Sequence, residues 1–185
     1  MGRSMLRPYK EKSAQPRRSG RLEFLLMLSI RAATVNDVAL LKTLICELAE
    51  YERERDQVVI SEADLVRDGF GPQPKFRALL AECDGQAAGY ALFFGFYSTW
   101  EGRSGLFLED LFVRQTFRGK GIGKALLAKV AGIAKHEKCY GVRWEVLDWN
   151  QPAIEFYKRL GAAFLDQWKS VLLTGEALER AAESN

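Results

Sequence analysis

The chain has 185 residues and a mass of 20.9 kDa, the size of one ordinary domain. Hydrophobic residues at 48% and charged residues at 28% argue against a disordered chain, a collagen or a membrane protein. Apolar runs such as Phe24–Leu28 fall far short of the ~20 residues of a spanning helix. The net charge of +3 is uneven: residues 1–24 hold seven Arg or Lys against Glu11 and Glu23, leaving 20 basic and 22 acidic groups beyond them. A body so near neutrality gives no reason to expect nucleic-acid binding.

Residues 1–26 mix Ser, Pro, Gly and Arg without apolar periodicity, and read as a disordered basic arm. Arg17-Arg18 ahead of Phe24–Leu28 has the outline of an export signal, but the apolar stretch is too short and Arg31 follows at once. Met27, just before the first folded segment, is a candidate natural start. Residues 27–185 are then expected to form a single domain. Leu28–Ala32 predicts a strand, and Thr34-Val-Asn-Asp37 a helix start of the capping-box kind, followed by Val38, Leu41, Ile45 and Leu48 at helical spacing to about Tyr51. Ser61-Glu-Ala-Asp64 opens a shorter helix that stops near Gly69 and Gly71-Pro72. Asp84-Gly85 between Phe76–Cys83 and Gln86–Tyr97 is a hairpin signal. A strand over Gly105–Val113 precedes a helix over Gly121–His136, with Ile122, Leu126, Val130 and Ile133 on one face. Gly141–Leu147 alternates as a strand, Pro152–Leu160 is a helix stopped by Gly161, Ala162–Thr174 reads as one or two strands, and a short helix starts near Glu176. The order argues for a mixed α/β sheet. Cys46, Cys83 and Cys139 are widely spaced without a C-x-x-C, and His136 stands alone. That pattern suggests reduced thiols in a cytoplasmic protein and no metal.

Three segments carry candidate chemistry. Arg118-Gly-Lys-Gly-Ile-Gly123 follows a strand and opens a helix, the context in which glycines let backbone N–H groups and a helix N-terminus cradle phosphate. Its spacing is that of neither a Walker A loop nor a dinucleotide fingerprint. In Leu106-Phe-Leu-Glu-Asp-Leu-Phe-Val113, two carboxylates interrupt an apolar strand and point to opposite faces if the strand is regular. Either is a structural ion-pair partner or a base with a tuned pKa. Tyr157 shares a helix face with Ile154, as core or as a phenolic proton donor.

Taken together, the Arg118–Gly123 loop, the Leu-Glu-Asp strand and Asn150…Tyr157…Gly161-Ala162 resemble the GNAT superfamily of acetyl-CoA-dependent N-acetyltransferases over about residues 28–178. Glu47-Leu-Ala-Glu-Tyr-Glu52, Leu65…Asp68-Gly-Phe-Gly71, Tyr97-Ser-Thr-Trp100 and Phe156-Tyr-Lys-Arg159 narrow the resemblance to the diamine (spermidine/spermine) acetyltransferase family. In polyamine-specific members Asp-Pro follows the tyrosine matching Tyr97; Ser98-Thr99 here is similar to the thialysine N-epsilon-acetyltransferase branch. The resemblance implies a mixed, mostly antiparallel twisted sheet, splayed between strands 4 and 5 to admit acetyl-CoA, and usually a homodimer. It implies a small-molecule amine as substrate and no part for a metal, while charge and composition lead to no expectation of nucleic acid or membrane as partner.

By position, the resemblance implies that Arg118 and the backbone of Gly119, Lys120, Gly121, Ile122, Gly123 and Lys124 bind the pyrophosphate of acetyl-CoA. Leu111, Phe112 and Val113 would pair with its pantetheine arm, and Asn150 and Tyr157 would contact it. Glu109 matches the general base and Tyr157 the general acid. Tyr51, Glu52, Ser98, Thr99, Trp100, Glu109 and Asp110 match the surroundings of the amine. Other readings stay open: a polyamine acetyltransferase, a protein or peptide N-acetyltransferase, a non-catalytic acyl-CoA-binding regulator, and a basic arm that binds nucleic acid.

Overall fold

A computed structural model describes residues 28–183. The basic arm, the boundary at residue 27 and Met27 as a start lie outside the described residues. The described chain divides into two compact units that meet in sequence at Trp144 and Glu145.

The first unit opens with β1 (Leu28–Ala32), a 3-10 turn over Val35–Asp37 and α1 (Val38–Glu52). The capping box forms: the backbone N–H and the hydroxyl of Thr34 donate to Asp37 Oδ2 at 2.8 and 2.9 Å. Arg31 grips the same carboxylate and that of Glu82, each at 2.8 Å, tying β1, the helix start and the neighbouring strand together. The Arg31 hydrogen bonds hold the Asp37 carboxyl far below the usual range. Next comes α2 (Glu62–Phe70), capped by Ser61, whose Oγ accepts from the Asp64 N–H at 3.1 Å.

Three antiparallel strands follow β1 in order: β2 (Arg77–Cys83), β3 (Gln86–Ser98) and β4 (Arg103–Val113). Asp84 and Gly85 both take left-handed backbone, φ 52 and 72, the twist that a two-residue hairpin needs. After α3 (Ile122–His136), β5 (Val142–Arg143) returns parallel to β4. The two pair only at Leu106↔Val142 and Phe107↔Arg143. The sheet is therefore mixed and splayed: from Leu108 to Val113, β4 has no β5 partner among the described residues. The strand expected over Gly141–Leu147 shortens to two paired residues for the same reason.

One sheet face is sealed by Val38, Leu41 and Leu44 of α1 and Leu65 of α2, packed on Ala78, Leu80, Tyr90, Leu92 and Phe112. The alternate residues Leu79 and Phe93 look to the other face, beside α3. There α3 buries Ile122, Leu126, Leu127, Val130 and Ala134. One irregularity bears on the site. Leu92 stands opposite Asp110 but Phe93 opposite Leu108, so Glu109 is the extra residue of a β-bulge. The strand is not regular where its two carboxylates sit.

The second unit holds α4 (Gln151–Arg159) and α5 (Gly175–Glu183). Pro152 lies in the first turn of α4, and Gly161, at φ 82, follows its end, as expected from the sequence. The strands expected over Ala162–Thr174 do not form; the segment carries no strand in the structure. Its large apolar residues are exposed, Val171 to 96%. Apolar patterning alone cannot make a strand whose pairing must come from elsewhere. No described helix is long and apolar enough to cross a membrane.

Candidate active site

The glycine loop is built by the chain leaving β4. A 3-10 turn over Gln115–Phe117 redirects it, and Gly119 and Gly121 then take left-handed φ of 76 and 85. Gly121 is the N-cap of α3. A Cβ on either glycine would meet nothing within 4 Å, so the space over the loop is open. The first rung of α3 joins the Ala125 N–H to Gly121 O at 3.0 Å. The N–H groups of Ile122, Gly123 and Lys124 precede that rung, at the positive end of the helix dipole. Ile122 is sunk in the core and anchors the turn, while Lys120 and Lys124 are exposed. No carboxylate lies between Arg114 and Lys124. The loop has the geometry of an anion cradle, and it adjoins the stretch of β4 that β5 leaves unpaired, including Leu111, Phe112 and Val113.

The carboxylates of β4 have different surroundings. Glu109, on the bulge, is exposed. Asp110 accepts a hydrogen bond from the Tyr90 hydroxyl at 3.0 Å. Burial lifts the Asp110 carboxyl from 3.8 to about 7; the Tyr90 hydrogen bond opposes the rise, and the charges of Glu109 and Glu52 add to it. Tyr90 is fully buried, and burial together with Asp110 pushes its phenol well above 10. Glu52, at the end of α1, is likewise raised, by burial first and then by Glu54. An acidic group thus gathers Glu52 from α1 with Glu109 and Asp110 from β4. Tyr90 and its bond to Asp110 were not legible: in the sequence Tyr90 is one aromatic in an apolar strand.

Tyr51 is drawn to the glycine loop. The Arg118 guanidinium lies over its ring, 4.3 Å from the centroid, and 5.9 Å from that of Phe112. Ser98, Thr99 and Trp100 stand apart from this group. They form the turn between β3 and β4, where Ser98 Oγ accepts from the Glu101 N–H at 3.2 Å and Trp100 is exposed. Ser98 pairs with Arg103, six residues before Glu109, about 20 Å along the strand.

In the second unit, Asn150 caps α4: its side-chain oxygen accepts from the Ala153 N–H at 3.3 Å, and the residue is buried. Tyr157 is buried in α4, its ring 5.2 Å from that of Phe156.

A splayed mixed sheet with an open glycine cradle at the start of the helix after its fourth strand defines a class. Residues 41–162 match the acetyltransferase (GNAT) family, and the chain belongs to it. It is 43% identical over 164 residues, 83% of this chain and 96% of the relative, to the thialysine N-epsilon-acetyltransferase of Sus scrofa. To the spermidine/spermine N(1)-acetyltransferase-like protein 1 of Homo sapiens it is 37% identical over 140 residues, 72% of this chain and 20% of that protein. Among solved structures, an integron cassette protein from the mobile metagenome of V. cholerae superposes with a TM-score of 0.72 at 25% identity, covering 85% of this chain and 99% of the other. The protein is an N-acetyltransferase of this family.

Proposed function

We propose that the protein transfers the acetyl group of acetyl-CoA to the primary amine of a small cationic substrate, a lysine analogue such as thialysine or a diamine. The observation that carries the reading is the meeting, at one end of β4, of an open anion cradle with the acidic group of Glu52, Glu109 and Asp110. A polyphosphate donor and a cationic acceptor need those opposite polarities side by side. The thialysine N-epsilon-acetyltransferase relatives favour the lysine-analogue branch.

Acetyl-CoA supplies the acetyl group as a thioester. In the proposed reaction the backbone N–H groups of Gly119–Lys124 bind its pyrophosphate, and the backbone of Leu111–Val113, with Asn150, holds its arm. An alkylammonium with a pKa of ~10.4 is neutral in only about one molecule in a thousand at pH 7.4, a penalty of roughly 4 kcal/mol. Glu109, through water, takes that proton. The amine nitrogen bonds to the acetyl carbon as the carbon–sulfur bond breaks; the Tyr157 phenol gives its proton to the departing thiolate, and the second proton lost by the acylated nitrogen restores the phenol through solvent. Tyr51, Glu52 and Asp110 receive the substrate ammonium. The protein is proposed to act as a homodimer in the cytoplasm. Thiol release from acetyl-CoA, measured with thialysine, lysine, spermidine and a panel of peptides, tests the reading. Turnover of thialysine or a diamine is expected; turnover of peptides alone would overturn it.

A further inference from the structure

The carboxyl of Asp110 is tied inward at one oxygen. Oδ2 accepts from the Tyr90 hydroxyl at 3.0 Å. The two residues are diagonal neighbours on one sheet face, since Tyr90 stands opposite Phe112 and Leu92 opposite Asp110. Tyr90 is fully buried in the core beneath α1, and its ring meets that of Phe112 edge-on, 6.4 Å between centroids. Its phenol, pushed well above 10, stays protonated and able to donate at neutral pH. Asp110 is by contrast half-buried, one residue past the bulge that carries Glu109. The charges acting on it are those of Glu109 from its own strand and Glu52 from α1, and Glu52 and Cys46 of α1 act in turn on Tyr90. A substrate cation arriving beside Asp110 is therefore attracted by three carboxylates at once.

We infer that Tyr90 is a positioning residue for the amine: its hydroxyl holds Oδ2 of Asp110 and so fixes the carboxyl with Oδ1 left to the substrate ammonium. The inference rests on the function proposed above, which puts the ammonium beside Asp110, and it adds the group that sets how Asp110 receives it. A carboxylate without this bond is free to rotate, and beside Glu52 and Glu109 it escapes their repulsion by taking up a proton. The Tyr90 hydrogen bond favours the charged form and opposes the rise to about 7 that burial imposes. A neutral carboxyl gives up its attraction for an ammonium. Tyr90 thus keeps Asp110 charged to a lower pH than burial alone allows. Phenylalanine fills the same core volume without this bond, so the ring serves packing and the hydroxyl serves Asp110.

The test is the pH dependence of the amine KM, measured from pH 6 to pH 9 at saturating acetyl-CoA with thialysine and with spermidine. An alkylammonium of pKa ~10.4 stays charged over that range, so a change in KM belongs to the protein. In the wild type the KM should fall as pH rises through about 7. Tyr90→Phe should raise the KM about three- to tenfold at pH 7 and below, as for one lost hydrogen bond to a charged group, with the gap closing by pH 9. In the Asp110→Asn background the same change should add no pH-dependent effect. A Tyr90→Phe protein of lowered Tm whose KM profile matches the wild type overturns the inference and leaves the bond as packing alone. A pH-dependent loss of acetyl-CoA affinity as large as that in the amine KM, read by titration without amine, overturns it too. The wild type supplies a measurement independent of any variant: the carbon-13 resonance of the Asp110 carboxyl should titrate at lower pH with spermidine bound than without, and an unmoved midpoint overturns the inference. A wild-type protein that acetylates no small amine overturns the functional reading as well, whereas an active one with an unshifted profile in Tyr90→Phe overturns this inference alone.

Discussion

The loop end of β4 is cross-tied by side chains from distant parts of the chain, whereas the turn end is held by its own sequence neighbours. At the loop end Tyr90 binds Asp110, Arg114 binds Glu47 from 67 residues away, and Arg118 covers Tyr51. At the turn end Ser98 binds Glu101, Arg103 lies 3.5 Å from Glu101, and Tyr97 and Trp100 are exposed. Long-range ties between partly buried groups fix geometry, because each must be satisfied in one arrangement. Local contacts between exposed groups are worth little and rearrange at low cost. The proton transfer and phosphate binding proposed above both fall at the first kind of end. The second kind is suited to adjusting which amine is preferred.

The largest break in this contrast should come from Glu109. Glu109→Gln should lower kcat/KM by about 10²–10⁴-fold, the range of a general base. The loss should shrink as pH rises and more substrate amine is already neutral. An unchanged pH–rate profile would remove Glu109 from that role. A smaller effect is expected at the cradle. Valine at position 121 must adopt the left-handed backbone of Gly121, φ 85, at a cost of roughly 1–2 kcal/mol, although nothing stands in the way of its Cβ. Gly121→Val should therefore raise the acetyl-CoA KM about tenfold with the fold intact, as read by circular dichroism. Normal acetyl-CoA binding by this variant would show that the loop is not the phosphate site.

Asp110 sharpens the comparison through pH. Its carboxyl titrates near 7 in the folded protein, against 3.8 ordinarily, because it is buried. Between those values the folded state holds a proton that the unfolded chain has released. Stability from this group is thus full below about 4 and is lost as pH rises toward 7 and beyond. Asp110→Asn keeps an acceptor for the Tyr90 hydroxyl and carries no charge. It should flatten the fall in Tm between pH 5 and pH 8 on the order expected for one proton. An equally steep fall in the variant would mean that Asp110 is charged throughout that range.

Local rules carried the sequence reading where they applied. The Asp84-Gly85 hairpin, the Thr34–Asp37 and Ser61–Asp64 caps and the left-handed glycine turn into α3 each depend on residues within a few positions of one another, and each forms as the pattern requires. Features that depend on distant partners were not legible. The bulge that displaces Glu109 is set by register against Leu92 and Phe93. The raised carboxyl of Asp110 comes from burial under the folded chain, its bond to Tyr90 joins residues twenty apart, and the stack on Tyr51 depends on Arg118. The segment Ala162–Thr174 shows the converse: residues such as Leu165, Trp168 and Val171 read as strand, yet pattern without a paired neighbour leaves them exposed.

The smallest effect is expected at the turn end. Ser98 and Thr99 present neutral hydroxyls where the resemblance to polyamine-specific acetyltransferases implies Asp-Pro. A carboxylate there attracts a second ammonium, as in spermidine, and repels the carboxylate of an amino acid such as thialysine. Wild-type protein should therefore prefer thialysine, and Ser98→Asp should move the ratio of kcat/KM values toward spermidine. An ion pair at an exposed site contributes about 1 kcal/mol, so the shift should be several-fold and no more than about tenfold. Within one protomer the turn stands about 20 Å along β4 from Glu109, farther than a bound diamine bridges. A shift of the expected size accordingly requires the turn of a second copy to reach the amine. Sedimentation of the same preparation should then show a dimer at assay concentration. A ratio unmoved by Ser98→Asp would confine amine recognition to the loop end of β4.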